Sequence, residues 1–360
     1  MQYPLKTRQV CFFIIAFTPI CKLFILPSVL SGFSNEDAWI SALINLSVDF
    51  LTLFAVIYAC KKTQSTFFEL LENNFGKTGK KIILALYFIY FMMKVILPLN
   101  EQKEYVELTL YTLKPTIFYF LPFFVLSFYL CTKKTRVLGR IADVAWLITI
   151  NGILTLFILS VSNADFGALL PVFANPLKSV LRGSYSALNW FGDAVYLMFF
   201  IGQFKYEKRD GIKLVLSFAV SAIMILAFII IFYCIFTSIA FRQRFALTEI
   251  SKYTTVINNL GRFDYIGIIF ILFVNLFSLS LPMYFSCKIF NEIFGIKKAW
   301  IAPSIVTVIQ VSIMLFLNQF IAGIERFMMT YAGGFYFLMG NVFPTFTAIL
   351  VRRKNKYANA

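Results

Sequence analysis

The chain has 360 residues, of which 60% are hydrophobic and only 14% charged, with a mean hydropathy of +0.79 and 44 phenylalanines. Such a composition excludes a soluble globular protein, whose surface needs far more charge, and points to one polytopic membrane domain spanning 1–360. The net charge is +16, but the basic residues lie between apolar stretches and form no patch with interleaved aromatics, so no nucleic-acid partner is expected.

A hydropathy window of about 19 residues gives ten candidate spans. They fall near 10–33, 39–60, 81–100, 116–131, 138–161, 185–204, 213–240, 264–287, 299–321 and 328–350. The first is too long for a signal peptide and lacks a small-residue cleavage site, so it is expected to be retained. Its middle reads AFTPICKLFILP, with Pro19 and Lys22 inside apolar sequence. Lys22 lies roughly 15–20 Å from either interface at a rise of about 1.5 Å per residue. It is too deep to snorkel, and a central lysine costs about 2.5–3.5 kcal/mol on the insertion scale. It must therefore face a wet cavity or the bundle interior, as part of a ligand site or of a structural ion pair. Pro19 interrupts the helix, either as a kink repaired by neighbouring helices or as a break. A break would leave Thr18, Cys21 and the backbone at 18–21 free to meet a polar guest.

The second span carries Asp49 in LINLSVDFLTLF and the third Lys94 in FMMKVILP. Each could line an ion pathway, together with Asp193, or pair with another helix. Between these spans, STFFELLENNFG at 65–76 places Phe67, Phe68, Leu70, Leu71 and Phe75 on one face, as a cytoplasmic interfacial helix would. The sixth span reads SALNWFGDAVYLMFF, with Asn189, Gly192 and Asp193 among apolar residues. Interruptions at matching positions of two halves point to a five-plus-five inverted repeat of about ten helices, with helices 1 and 6 broken and the site at the breaks. Asp193 is then an available counter-ion for Lys22. After the seventh span, 247–261 spaces Leu247, Ile250, Tyr253, Val256, Ile257 and Leu260 as a helix behind a Thr248 cap, either as a lid over a vestibule or resting on lipid. In the eighth, Asn275, Ser278 and Ser280 precede Pro282 and could serve the site or glue helices together. In the tenth, Gly333, Gly334 and Gly340 suit close helix packing. The substrate-binding set expected from these patterns is Thr18, Pro19, Cys21, Lys22, Asn189, Gly192, Asp193, Ser278 and Ser280.

With the N-terminus cytoplasmic, 22 of the 33 Lys and Arg residues fall on inside segments, nine outside and two within spans. Both termini are therefore expected in the cytoplasm. Histidine is absent, which removes the commonest metal ligand and general base. The cysteines, Cys11, Cys21, Cys60, Cys131, Cys234 and Cys287, include no Cys-x-x-Cys pair and read as small buried hydrophobes, not as disulfides or metal ligands. No Walker loop, Gly-x-Gly-x-x-Gly or Gly-x-Ser-x-Gly is present, so neither an enzyme nor a cofactor is expected.

Several stretches, in order and spacing, resemble one family. They are NEDAWISALI; EYVELTLYTLKPTIFYFLPFFV, with Glu107 and Pro115–Thr116; TKKTRVLGRIADV, with Gly139 and Arg140; FGALLPVF; and VINNLGRFDYIGIIF. This pattern resembles the spore-germination permeases, the B subunits of bacterial germinant receptors. The resemblance implies the ten-helix amino acid–polyamine–organocation fold, in a bacterial cell or spore inner membrane. It also implies a sensor of amino acids or other small nutrients working with an A subunit and a lipoprotein C subunit. Where that family has glycine in the broken first helix, this sequence has Thr18, Pro19, Ile20, Cys21 and Lys22. The departure counts against an ordinary zwitterionic amino acid ligand, and leaves Lys22 either replacing a coupling cation or meeting a carboxylate itself. Two readings follow: a receptor whose bundle shifts on binding, or an ion-coupled amino acid permease.

Overall fold

The computed structural model describes residues 3–63, 65–110, 115, 117–252 and 264–357. Pro19 and Pro27 set the first interruption. α1 (Thr7–Ile20) ends one residue beyond Pro19, whose ring lacks an N–H and crowds the preceding turn. Non-helical residues 21–25 follow, and α2 (Leu26–Ser34) then starts with Pro27 in its first turn, where a missing N–H is harmless. α3 (Ala38–Lys62) follows a short 3₁₀ turn.

α4 (Phe67–Leu110) is bent at Gly76, which adopts a left-handed φ of 71°. α5 (Ile117–Cys131) and α6 (Thr135–Ser160) come next. The second interruption lies between α7 (Leu177–Ser186) and α8 (Ala194–Phe199), joined by a 3₁₀ turn at Leu188–Trp190 and by Gly192 with φ of 85°. α9 (Asp210–Phe236), α10 (Ala246–Lys252), α11 (Asp264–Phe294), α12 (Ile301–Leu317) and α13 (Ile321–Thr330) continue the chain. α14 (Gly333–Phe337) passes through a π turn at Leu338–Val342 into α15 (Phe343–Tyr357). Among the described residues the protein is an all-α bundle without a named strand.

Among the described residues seven helical segments are long and apolar enough to cross a membrane, and α1 and α5 are shorter apolar helices. Length and composition thus count seven crossings where the hydropathy pattern predicts ten. The two predicted interruptions are present, in the first and sixth spans. α1 is buried nearly all round, as a central helix should be, and packs on α6, α9 and α11. α2 lies against α7, so the second half of the first broken helix neighbours the first half of the sixth.

Three local expectations change. The 65–76 segment covers its apolar face with protein: Phe67 and Leu71 are buried, and the Phe67 ring sits 4.8 Å from that of Phe199. Thr248 lies inside α10 and does not cap it, because the helix already starts at Ala246, whose N–H donates to Phe24 O of the first break. Leu247 and Ile250 are buried there, while Tyr253, Val256, Ile257 and Leu260 lie outside the described residues. The third span runs on past 100, so Asn100, Glu101 and Gln102 are buried in α4.

Candidate ligand site at the paired helix breaks

Lys22 leaves the end of α1 with its chain turned inward and is 1% exposed. Its ammonium donates to Thr18 O at 2.8 Å and to Asp193 Oδ2 at 2.5 Å, and lies 5.2 Å from the centre of the Phe191 ring. The Thr18 carbonyl, expected to meet a polar guest, is therefore met by the chain's own lysine. Pro19 O accepts the backbone N–H of Lys22 at 2.9 Å, so Pro19 shapes the break and does not line the cavity. One ion pair thus ties the first break to the second.

Lys94 of α4 approaches the same carboxylate from the other side, 3.4 Å from Asp193 Oδ1. It also donates to Phe191 O and to the Tyr90 hydroxyl, with the Tyr90 and Tyr196 rings nearby. Asp49 of α3 accepts the Gly192 N–H with both oxygens, each at 3.0 Å. Gly192 is required there: its φ is left-handed, and a Cβ would come within 3.0 Å of the Tyr90 hydroxyl and 3.3 Å of Gly340 Cα. Asp49, Lys94 and Asp193, grouped from the sequence as an ion pathway, therefore converge on one break. Lys22, Lys94 and Asp193 pair directly, and Asp49 is held at the same break by the Gly192 N–H, so each buried charged group has a polar partner, as groups taken out of water must.

Beside this cluster lies a small, mainly apolar cavity with about 40 Å³ open to water centres. Thr18, Cys21, Lys94, Asn189, Asp193 and Ser278 are its polar lining, among aromatic rings such as Phe13, Phe17 and Phe200. Cys21 Sγ sits 3.2 Å from Ser278 Oγ and 3.5 Å from Asn275 Oδ1. Asn189 is 1% exposed, and neither its amide nitrogen nor its oxygen has a hydrogen-bond partner. Ser280 stands apart: it pairs with Ser127 at 2.8 Å and holds α5 to α11. It is helix glue, because it projects from a different face of α11 from Ser278.

A wider vestibule of about 500 Å³ opens above, lined by Ser28, Glu101, Arg242, Arg244 and Glu325 among others. Trp190 borders both spaces, and its indole N–H donates to Glu101 Oε1 at 2.9 Å. Arg244 reaches Glu104 at 2.8 Å and Glu325 at 2.9 Å across the mouth. The sequence reading missed Tyr90, Glu101 and Trp190. A glutamate three residues past Pro98 reads as loop unless the helix is seen to continue.

Residues 4–321 match the family described as spore germination protein. The chain belongs to the spore germination protein family. No curated protein matches this chain. A crystal structure of the Eremococcus coleocola manganese transporter, carrying a glutamate-to-glutamine substitution, is similar at a TM-score of 0.54 and 11% identity, covering 92% of this chain and 78% of that one. A second structure of that transporter, bound to an aromatic bis-isothiourea substituted compound, has the same identity and coverage at a TM-score of 0.48. The first likeness establishes a polytopic transporter fold for this chain. With the family, it makes the chain an integral membrane permease or germinant receptor.

Proposed function

We propose that this chain is a germinant receptor B-type subunit, a single transporter-like domain that binds a small nutrient at mid-membrane depth and signals with A and C subunits. The observation that carries the reading is the Lys22–Asp193 pair, which joins the two helix breaks beside a lined cavity. Ligand contact there would act on the junction between the two halves, and a shift in that junction is what partner subunits would relay. We place the protein in a bacterial cell or spore inner membrane with both termini cytoplasmic, on the distribution of Lys and Arg.

A metal-transport reading, which the manganese transporter would suggest, fits the residues poorly. Two ammonium groups already surround Asp193, and among the described residues no cluster of three or more His, Cys, Asp and Glu could hold a metal. An ion-coupled amino acid permease is the alternative, favoured by the transporter fold. Uptake of radiolabelled amino acids into proteoliposomes holding only this chain separates the two. The receptor reading expects no accumulation; saturable uptake by the isolated chain would overturn it.

A further inference from the structure

We infer that the solute taken by this site is uncharged: a small, largely apolar molecule that meets Asn189 through a neutral donor–acceptor edge such as a carboxamide. The inference rests on the ligand site proposed above and narrows its chemistry. The charged groups at the breaks are already engaged. Asp193 receives Lys22 on one oxygen and Lys94 on the other, and both Asp49 oxygens take the Gly192 N–H. Lys22 has Thr18 O as a further acceptor, and Lys94 has Phe191 O.

Two ammonium groups against two carboxylates leave no formal charge over for an ionic guest. A cation would have to displace a lysine from Asp193, and an anion would have to draw one away. Either exchange strands a charge out of water.

The unspent polar group is Asn189. It lines the cavity, is all but fully buried, and has both amide atoms without a partner. A buried primary amide offers one acceptor and two donors, and leaving them unpaired is costly. A guest amide can satisfy one N–H and the oxygen together, edge to edge, with no charge transferred. Its remainder would lie against Phe13, Phe17 and Phe200. This departs from both an amino acid zwitterion and a metal ion.

Isobutyramide and isobutyrate, of nearly the same shape, test the charge state alone, and L-valine, larger by one carbon and its ammonium, tests the zwitterion. Equilibrium dialysis of each labelled solute against the full chain in nanodiscs, counting only the fraction displaced by excess unlabelled solute, gives their affinities. The expected result is saturable isobutyramide binding, with isobutyrate and valine about tenfold or more weaker, as a neutral hydrogen-bonding site rejects mismatched groups. Asn189→Leu should remove isobutyramide binding while leaving the thermal transition in place. Valine or isobutyrate binding as tightly as the amide would overturn the uncharged class and leave the site standing, especially if Lys94→Met then weakened it. No saturable binding of any of the three would overturn both. The comparison within the unsubstituted chain decides the matter even if Asn189→Leu does not fold.

Discussion

Lys22 shows how one side chain can oppose membrane insertion and still organise the protein around itself. Its ammonium is worth keeping only because Asp193 and the Thr18 carbonyl lie within hydrogen-bond reach. Lys22→Ala should therefore insert at least as well as the parent chain, yet lose nutrient binding by an order of magnitude or more and unfold at lower temperature. Removing one partner of a buried pair costs about 3–5 kcal/mol. Adding Asp193→Asn should recover part of that stability without recovering binding, as a double-mutant cycle on detergent-solubilised protein will measure. Cys21→Ser should be mild, since a hydroxyl can keep the contacts to Ser278 and Asn275. Loss of folded protein and binding in equal measure would reduce Lys22 to a structural ion pair. The depth of Lys22 and the carboxylate at 193 are both plain in the sequence, and so is their pairing once two breaks are recognised. Lys94 as a second donor to the same carboxylate is not, because its approach depends on how α4 leans over the second break.

At the level of elements, the two breaks are built differently. The first is a consequence of prolines, which any reading of TPICKLFILP detects. The second depends on Gly192, and a single glycine in a span is ambiguous until its φ and neighbours are known. Gly192→Ala should cost about 1–2 kcal/mol from the left-handed backbone alone, and more from the clash with the Tyr90 hydroxyl and Gly340. Gly295→Ala, also left-handed but with nothing within 4 Å of a new Cβ, should pay only the backbone part. Comparing their melting temperatures isolates the packing contribution.

Asp37, in the Asp-Ala-Trp stretch, also acquires a physical role. It is fully buried and accepts the backbone N–H groups of Phe173 and Asn175, each at 2.9 Å, so it pins the loop leading into α7. Asp37→Ala should speed amide hydrogen exchange at those two residues by more than tenfold, since a hydrogen bond to a charged acceptor is worth about 1.5–3 kcal/mol. The Ser280 assignment failed for a related reason. Serines two positions apart on a helix face different ways, and only packing says which face meets the cavity.

Across the whole molecule, the ends of the bundle differ. At the N-terminal end, Leu5 N bonds Gln203 O, Thr7 bonds Asp210 at 2.6 Å, and Lys80 joins Glu72 to Glu292. At the opposite end the vestibule is open down to Trp190. Trp190 is thus the wall between bulk water on that side and the inner cavity. A membrane-impermeant thiol reagent added from the vestibule side should label Cys21 slowly in the parent chain and at least severalfold faster in Trp190→Ala; the other five cysteines are buried. Equal labelling would place the barrier elsewhere. The hydropathy pattern carries the all-helical bundle and its two interruptions, because burial in lipid writes itself into composition. It does not carry the vestibule, whose walls come from helix ends that read as loops.

The mutual neutralisation of Lys22, Lys94, Asp49 and Asp193 has an electrical consequence. Carrying one elementary charge through a potential of 100 mV takes about 2.3 kcal/mol. A cluster whose formal charges sum to zero, shifting as it takes a neutral guest, exchanges almost no work with that field. Energised and de-energised membranes would then present the same occupancy, and a resting cell could read its surroundings without a voltage to draw on.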